Sequence, residues 1–128
     1  MRIYIHSGFI KNIFSHEFFR STIVHWTLIV LLLLNFTCWG LLLFFIRPVD
    51  FPLILHYNVY FGVDIIGDWR QIYLLPAIVT LIFIINTILG YFFYKQKERA
   101  VTYLLFLASF IAHISALIAI GSLIRINY

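Results

Sequence analysis

The sequence predicts an all-α integral membrane protein, a bundle of three transmembrane helices with a structured outer loop. The first observation is composition: hydrophobic residues make up 63% of the 128-residue chain and charged residues only 11%. In soluble domains, about 45–50% of the residues are apolar and about 25% are charged. The second is a mean hydropathy of +1.01. The third is that the apolar residues concentrate in three long runs without a charge. A chain of this size cannot hide so much apolar surface from water, so the predicted solvent is a lipid bilayer.

The predicted spans are the uncharged runs 21–46, 71–94 and 100–124. A bilayer core of about 30 Å needs about 20 helical residues, so each run can cross once with some tilt and none can cross twice. Residues 1–20 are predicted to form a cytoplasmic N-terminal tail, either a weakly amphipathic interfacial helix or a short lead-in. Because the first run is long and no cleavage site follows it, we expect it to stay attached as an anchor.

Basic residues in the short segments predict the orientation. The tail carries Arg2, Lys11 and Arg20, and the turn 95–99 has three basic residues in five. The loop 47–70 has two basic residues against three acidic ones. We therefore expect the N-terminus and the 95–99 turn to be cytoplasmic, and the loop and the C-terminus to lie outside a bacterial cytoplasmic (inner) membrane.

The net charge of +4 does not point to nucleic acid. The basic residues are scattered singly, apart from Lys95, Lys97 and Arg99, so the excess is better explained by topology. The single cysteine, Cys38, lies in an apolar run, where a buried and unreactive thiol is the usual state.

Three polar residues, Asn35, Asn86 and His113, are predicted to form a cluster near the middle of the membrane. Each lies close to the centre of its run, where an unpaired amide or imidazole would be costly. We expect these side chains to hydrogen-bond to one another and hold the helices together. A ligand or proton site is the alternative, but no Asp, Glu, Lys or Arg lies within any run.

Small residues form a stripe on the third run at spacings of 4, 3, 4 and 3: Ala108, Ala112, Ser115, Ala119 and Ser122. Such stripes let helix backbones approach closely in lipid. We expect another span of the same chain to pack here, with Gly40, Asn86 and Gly90 able to accept the contact. A second protomer or a separate protein is the alternative.

The loop 47–70 is long for a connection between helices, which usually has two to eight residues. It holds the candidate site: His56, Tyr57, Asn58, Tyr60, Gly62, Asp64, Gly67 and Trp69. If residues 55–61 are extended, His56, Asn58 and Tyr60 share one face. The loop is too apolar to extend freely into water, so we expect it to fold onto the helix ends or to lie among lipid headgroups.

We expect His56 and Asp64 to form a hydrogen bond that fixes the loop. A catalytic or metal-binding role for this pair is less favoured, because no serine or cysteine nucleophile is nearby and no paired-ligand spacing is present. A binding surface for a partner or ligand is compatible with the hydrogen bond.

The loop resembles one in small, uncharacterised bacterial three-span membrane proteins with the pattern PLHYNxYFGxDxxGxW. The matching residues are Pro52, Leu55, His56, Tyr57, Asn58, Tyr60, Phe61, Gly62, Asp64, Gly67 and Trp69. Ile54 and Leu55 place the proline farther from the histidine than that pattern does. The resemblance implies the same three-span layout and carries no activity with it.

The loop is also similar to the P-x-H-x-N-x-x-G-x-x-D loop of a bacterial toxin-immunity membrane family. Pro52, His56, Asn58, Gly62 and Asp64 follow the same order. The spacings differ, with three residues between Asn58 and Gly62 and one between Gly62 and Asp64. This resemblance implies an immunity or signal-receptor role.

Taken together, these patterns predict a small non-enzymatic integral membrane protein without a metal or other cofactor. It would act by interaction with another membrane or envelope component, through its aromatic outer loop and its third span. A homo-oligomer and a complex with a membrane-protein partner are the candidate assemblies. The alternative is a ligand-sensing, toxin-immunity or transport-type membrane protein.

Overall fold

The computed structural model describes residues 17–128, so most of the predicted N-terminal tail lies outside the described residues. The elements, in chain order, are α1 (Glu17–Arg20), α2 (Thr22–Phe45), β1 (Leu53–Asn58), β2 (Gly62–Gly67), a 3₁₀ helix (Trp69–Tyr73), α3 (Leu74–Lys95) and α4 (Arg99–Asn127). Helix accounts for 75% of the described residues. The predicted all-α class is therefore confirmed only in part, because the loop contains a two-stranded sheet.

In the described part of the chain, three helices are long and apolar enough to cross a membrane: Thr22–Phe45, the continuous stretch Trp69–Lys95, and Arg99–Asn127. Only 17–28% of their most apolar windows is buried inside the protein. Leu43 and Phe44, for example, are 67% and 74% exposed. A helix that is apolar on its outer face as well as its inner one is typical of a membrane span, which agrees with the predicted runs.

α4 is the central helix and packs against both α2 and α3. Its buried face is a row at spacings of 4, 3, 4, 3, 4 and 3: Thr102, Phe106, Ser109, His113, Ala116, Ile120 and Leu123. One buried cluster lies at the end of the bundle that carries the sheet, around Leu42, Ile72 and Ile120. A second lies at the opposite end, around Phe18 and Phe106. We call these the hairpin end and the turn end.

The prediction that the small-residue stripe packs against another span of this chain is wrong. Ala108, Ser115 and Ser122 are exposed, and Ala112 and Ala119 are half-buried. Each stripe residue directly precedes a member of the buried row, so the stripe lies beside that row rather than on it.

The close approach between α3 and α4 uses a different pair of residues. Thr102 Oγ1 donates to the carbonyl oxygen of Gly90 at 2.9 Å, and a Cβ added at Gly90 would lie 3.3 Å from Thr102 Cγ2. Gly40, the other glycine expected to accept a helix, has open space around it. The close contact between α3 and α4 therefore uses one glycine, Gly90. It faces Thr102, whose hydroxyl donates to the Gly90 carbonyl.

The turn between α3 and α4 is a Schellman motif. Lys97 takes the left-handed conformation, with φ of 66°. Its N–H donates to the Tyr94 carbonyl at 3.0 Å, and the Glu98 N–H donates to the Phe93 carbonyl at 2.9 Å. These bonds satisfy the last carbonyls of α3 and reverse the chain within three residues.

The loop folds as an antiparallel hairpin of β1 and β2. Its register runs from Leu53 opposite Gly67 to Asn58 opposite Gly62, with two irregularities around His56. These irregularities leave Leu55 on β1 and Asp64 on β2 without a directly opposite residue. Bulges of this kind redirect side chains locally, and here they flank the predicted His56–Asp64 pair.

Candidate functional site

The tip of the hairpin is a three-residue turn, Val59 to Phe61, and the residues on either side of it, Asn58 and Gly62, stabilise its backbone. Gly62 has φ of +80°, a conformation that glycine adopts without a steric cost. The Asn58 side-chain oxygen accepts a hydrogen bond from the Tyr60 N–H at 2.9 Å, which is an Asx turn. Two of the predicted site residues, Asn58 and Gly62, therefore shape the backbone of the tip.

The turn presents three large side chains to the surroundings. Val59 is 85% exposed, Tyr60 90% and Phe61 85%. The extended segment ends at Asn58, so the prediction that His56, Asn58 and Tyr60 share one face of a strand is wrong for Tyr60. The turn separates Tyr60 from the strand and places it beside Val59 and Phe61.

Below the tip, His56 and Asp64 join the two strands. His56 Nδ1 lies 2.7 Å from Asp64 Oδ1, and the two side chains are 58% and 41% exposed. Because an ionised carboxylate can only accept, the imidazole donates through Nδ1. The 2.7 Å contact joins the two strands, as the predicted role of fixing the hairpin requires. Within residues 17–128, no three His, Cys, Asp or Glu side chains come together as a metal site.

The base of the hairpin is attached to the C-terminus of α4. The Ile54 N–H donates to Asn127 Oδ1 at 2.8 Å, and Asn127 Nδ2 donates to the Ile54 carbonyl at 2.9 Å. Leu53, next to Ile54, is only 2% exposed and belongs to the hairpin-end cluster. Asn127 was not among the predicted site residues, because one asparagine near the end of a helix has no distinctive local signal.

The remaining predicted loop residues occupy different places. Tyr57 stands opposite Val63 on the exposed half of the hairpin. Gly67 lies at the base, where a Cβ would collide with the side chains of Leu55 and Gln71. Trp69 begins the 3₁₀ helix and packs against the hairpin-end cluster, with the Arg70 guanidinium 5.3 Å from its ring centre. Gly67 and Trp69 are thus part of the support rather than of the tip.

In the middle of the bundle, Asn35 links all three long helices. Its Nδ2 donates to Thr80 Oγ1 at 2.8 Å and lies 3.3 Å from His113 Nε2. Thr80 also accepts from Trp39 Nε1 at 3.0 Å and donates to the Pro76 carbonyl at 2.6 Å. Neither Thr80 nor Trp39 was among the predicted site residues, because their contact depends on the packing between helices.

Asn86 does not join this contact, so the predicted three-residue cluster is wrong in that respect. Its Nδ2 donates to Ser109 Oγ at 3.0 Å and to the Leu105 carbonyl at 3.2 Å. The Ser109 carbonyl lies 2.7 Å from His113 Nδ1. Asn86 is therefore connected to His113 only through Ser109, about one helical turn closer to the turn end of the bundle.

The partners of His113 indicate which ring nitrogen donates. A carbonyl oxygen can only accept, so His113 Nδ1 carries a hydrogen and donates to Ser109. Nε2 then accepts from Asn35, and both amide hydrogens of Asn35 are used. In the described part of the chain, no buried side-chain nitrogen or oxygen lacks a partner. The side chains of Asn35, Thr80 and His113 therefore form a closed network.

The fold therefore defines a mostly helical protein with three helices suited to a membrane and a hairpin at one end. Comparisons with family models, with curated proteins and with solved structures found no match. The two resemblances drawn from the loop remain predictions.

Proposed function

We propose that this protein is a small integral membrane protein that binds another membrane or envelope component through the hairpin tip. The observation that carries the proposal is the exposure of Val59, Tyr60 and Phe61, which are 85–90% accessible on a turn with its own hydrogen bond. Contiguous exposed apolar side chains are typical of interaction sites, and tyrosine is enriched among the residues that dominate binding energy.

The support beneath the tip adds to this proposal. The strands are joined by His56 and Asp64, and the base is attached to Asn127. A preorganised turn loses less conformational entropy on binding than a flexible loop does. The hairpin is therefore suited to present its aromatic residues to a partner.

The third span supplies the second proposed contact surface. Ala108, Ser115 and Ser122 are exposed on α4, away from the buried row. Small side chains at these positions would let the helix of a partner protein or of a second copy approach closely in lipid.

The proposed location is a bacterial inner membrane, crossed three times, with the turn end cytoplasmic and the hairpin outside. Its support is the apolar outer surface of the helices and the excess of basic residues at the turn end. The transport alternative has less support, because the hydrogen-bonding groups of the central network are used within the network.

The proposal is tested by photo-crosslinking in living cells of the source organism. A photoreactive benzoylphenylalanine replaces Tyr60 or Phe61 at the tip, or Phe44, which is 74% exposed on α2, as a matched control. We expect discrete protein adducts at Tyr60 and Phe61 and a different pattern at Phe44. Mass spectrometry of the adducts identifies the partner.

Two results would contradict the proposal. One is the formation of lipid adducts alone at both tip positions, which would place the tip in the headgroup layer. The other is an adduct pattern shared by Tyr60 and Phe44, which would show only random neighbours in the membrane. The double variant Tyr60→Ser/Phe61→Ser should keep the fold, since both side chains are exposed, and should lose the co-purifying partner.

A further inference from the structure

Two cavities lie toward the turn end of the bundle, the first lined by residues of all four helices and the second in the seam between α2 and α4. The first has a volume of about 450 Å³ and a mainly polar lining: Glu17, Arg20, Ser21, Thr22, Tyr94 and Arg99. Arginine and hydroxyl groups surrounding one space make it suitable for an anion.

The second cavity is an apolar groove of about 390 Å³. Ile23, Trp26 and Val30 line it from α2, and Tyr103, Leu107 and Phe110 line it from α4. Trp26 is 62% exposed and Leu107 52%, so the groove is open to the side of the bundle. Leu31 and Phe106, which are buried, form the bottom of the groove.

The linings of the two cavities contain residues that are neighbours along the helices. Arg99 and Tyr103 are one helical turn apart on α4, about 6 Å along the axis, and Thr22 precedes Ile23 on α2. In the proposed bilayer, the polar cavity would lie beside the headgroups and the groove beside the acyl chains.

The charge of the polar cavity favours an anionic ligand. Arg20 and Arg99 face one acid, Glu17, whose Oε2 lies 3.5 Å from Arg99 Nη2. Both side chains of that pair are mostly exposed, at 58% and 78%, and an exposed pair of this kind is weak. Arginine has five donors in a fork that fits phosphate, so Arg99 can bind a phosphate without leaving Glu17.

We propose that this seam binds one anionic phospholipid, with the phosphate held by Arg20 and Arg99 and an acyl chain in the groove. The inference rests on the proposed insertion of the helices in a bilayer, but not on any partner of the hairpin. Its occupant is a lipid rather than a free anion because residues that line the apolar groove are neighbours of those that line the charged cavity.

The test is native mass spectrometry of the full chain, released from detergent with phosphatidylglycerol or phosphatidylcholine added. We expect phosphatidylglycerol to bind about tenfold more tightly than phosphatidylcholine, because each arginine adds to the binding free energy of a lipid with a net negative charge. Arg20→Gln/Arg99→Gln should lose this preference. Arg47→Gln/Arg125→Gln, at the hairpin end, should keep it as the matched control.

Two further variants keep the test valid if the double substitution disturbs folding. Glu17→Gln removes the negative charge beside the proposed phosphate and should tighten phosphatidylglycerol binding about two- to fivefold, in line with a weak surface pair. Leu107→Trp should fill the groove and weaken the binding of both lipids while the arginines remain in place.

Equal binding of the two lipids by the wild-type protein would overturn the proposal. So would a preference that survives the loss of Arg20 and Arg99, or complete competition by soluble glycerol phosphate. A chain that stayed in solution without detergent would instead refute membrane insertion itself, which separates the two failures.

Discussion

The side-chain amide of Asn127 hydrogen-bonds to both the backbone N–H and the backbone carbonyl of Ile54, as the backbone of a neighbouring strand would. The N–H of Ile54 donates to Oδ1 at 2.8 Å, and Nδ2 donates to its carbonyl at 2.9 Å. Asn127 Nδ2 also bonds the Leu123 carbonyl on its own helix. One side chain thus joins the hairpin base to the last turn of α4.

Replacing Asn127 with leucine should loosen the hairpin without unfolding the helices. Two hydrogen bonds contribute about 1–3 kcal/mol together, so amide exchange across 53–67 should accelerate about tenfold or more. Hydrogen exchange followed by mass spectrometry measures this. Tyr128→Phe is the control, since it changes the adjacent side chain but not the amide. Unchanged protection in Asn127→Leu would show that Leu53 and the strands alone hold the base.

The helices were predictable from the sequence, whereas the attachment of the hairpin was not. An uncharged run bounded by basic residues is a local signal, and it predicted 21–46 for a helix that covers Thr22–Phe45. The contact of Asn127 joins residues 73 positions apart. It depends on where the helix end and the loop meet, which no local pattern encodes.

Gly62 and Gly40 should respond to alanine with opposite signs. Gly62 has φ of +80° with open space around it, so the substitution should cost about 1–2 kcal/mol for backbone conformation alone. Gly40 lies within α2 with open space around it, where alanine should stabilise by up to about 1 kcal/mol. Thermal unfolding in detergent, together with hydrogen exchange in the hairpin, measures both. A neutral Gly62→Ala would mean that the turn adopts another form.

Lys97→Gly should stabilise the α3–α4 turn. Lys97 has a φ of 66°, in the left-handed region where a residue with a Cβ is disfavoured. The substitution should raise the free energy of unfolding by about 0.5–1 kcal/mol, after allowing for the greater conformational entropy of glycine in the unfolded chain. The shift in thermal midpoint is the measurement, and Lys95→Gly, inside the last turn of α3, should be destabilising by comparison. A lower midpoint for Lys97→Gly would contradict the Schellman geometry.

The polar residues show how far depth alone can predict contacts. Asn35 and His113 were expected to meet from their positions in the runs, and their side chains lie 3.3 Å apart. Asn86 has a similar depth but bonds to Ser109 instead. Depth restricts the level at which a side chain lies, whereas the rotation of each helix decides which partner it reaches.

Asn35 and His113 should show a favourable coupling energy in a double-mutant cycle. Asn35→Leu leaves His113 Nε2 without its donor, and His113→Phe leaves one amide hydrogen of Asn35 unpaired. We expect a coupling of about 0.5–1.7 kcal/mol, the range for hydrogen bonds between membrane helices. Cys38 is fully buried on α2, so its rate of thiol labelling in detergent reports the opening of the bundle. Additive effects of the two substitutions would show that the 3.3 Å contact contributes no energy.

Labelling of introduced cysteines should place the hairpin tip and the α3–α4 turn on opposite sides of the membrane. Phe61 is 85% exposed at the tip, and Glu98 is exposed in the turn. In cells with a permeable outer envelope, a membrane-impermeant maleimide should label Phe61→Cys directly. It should label Glu98→Cys only after the inner membrane is opened. The wild-type chain is the matched control, since Cys38 has no exposed surface and should stay unlabelled in both conditions. Labelling of Glu98→Cys in intact cells, with Phe61→Cys protected, would reverse the orientation that the basic residues predict.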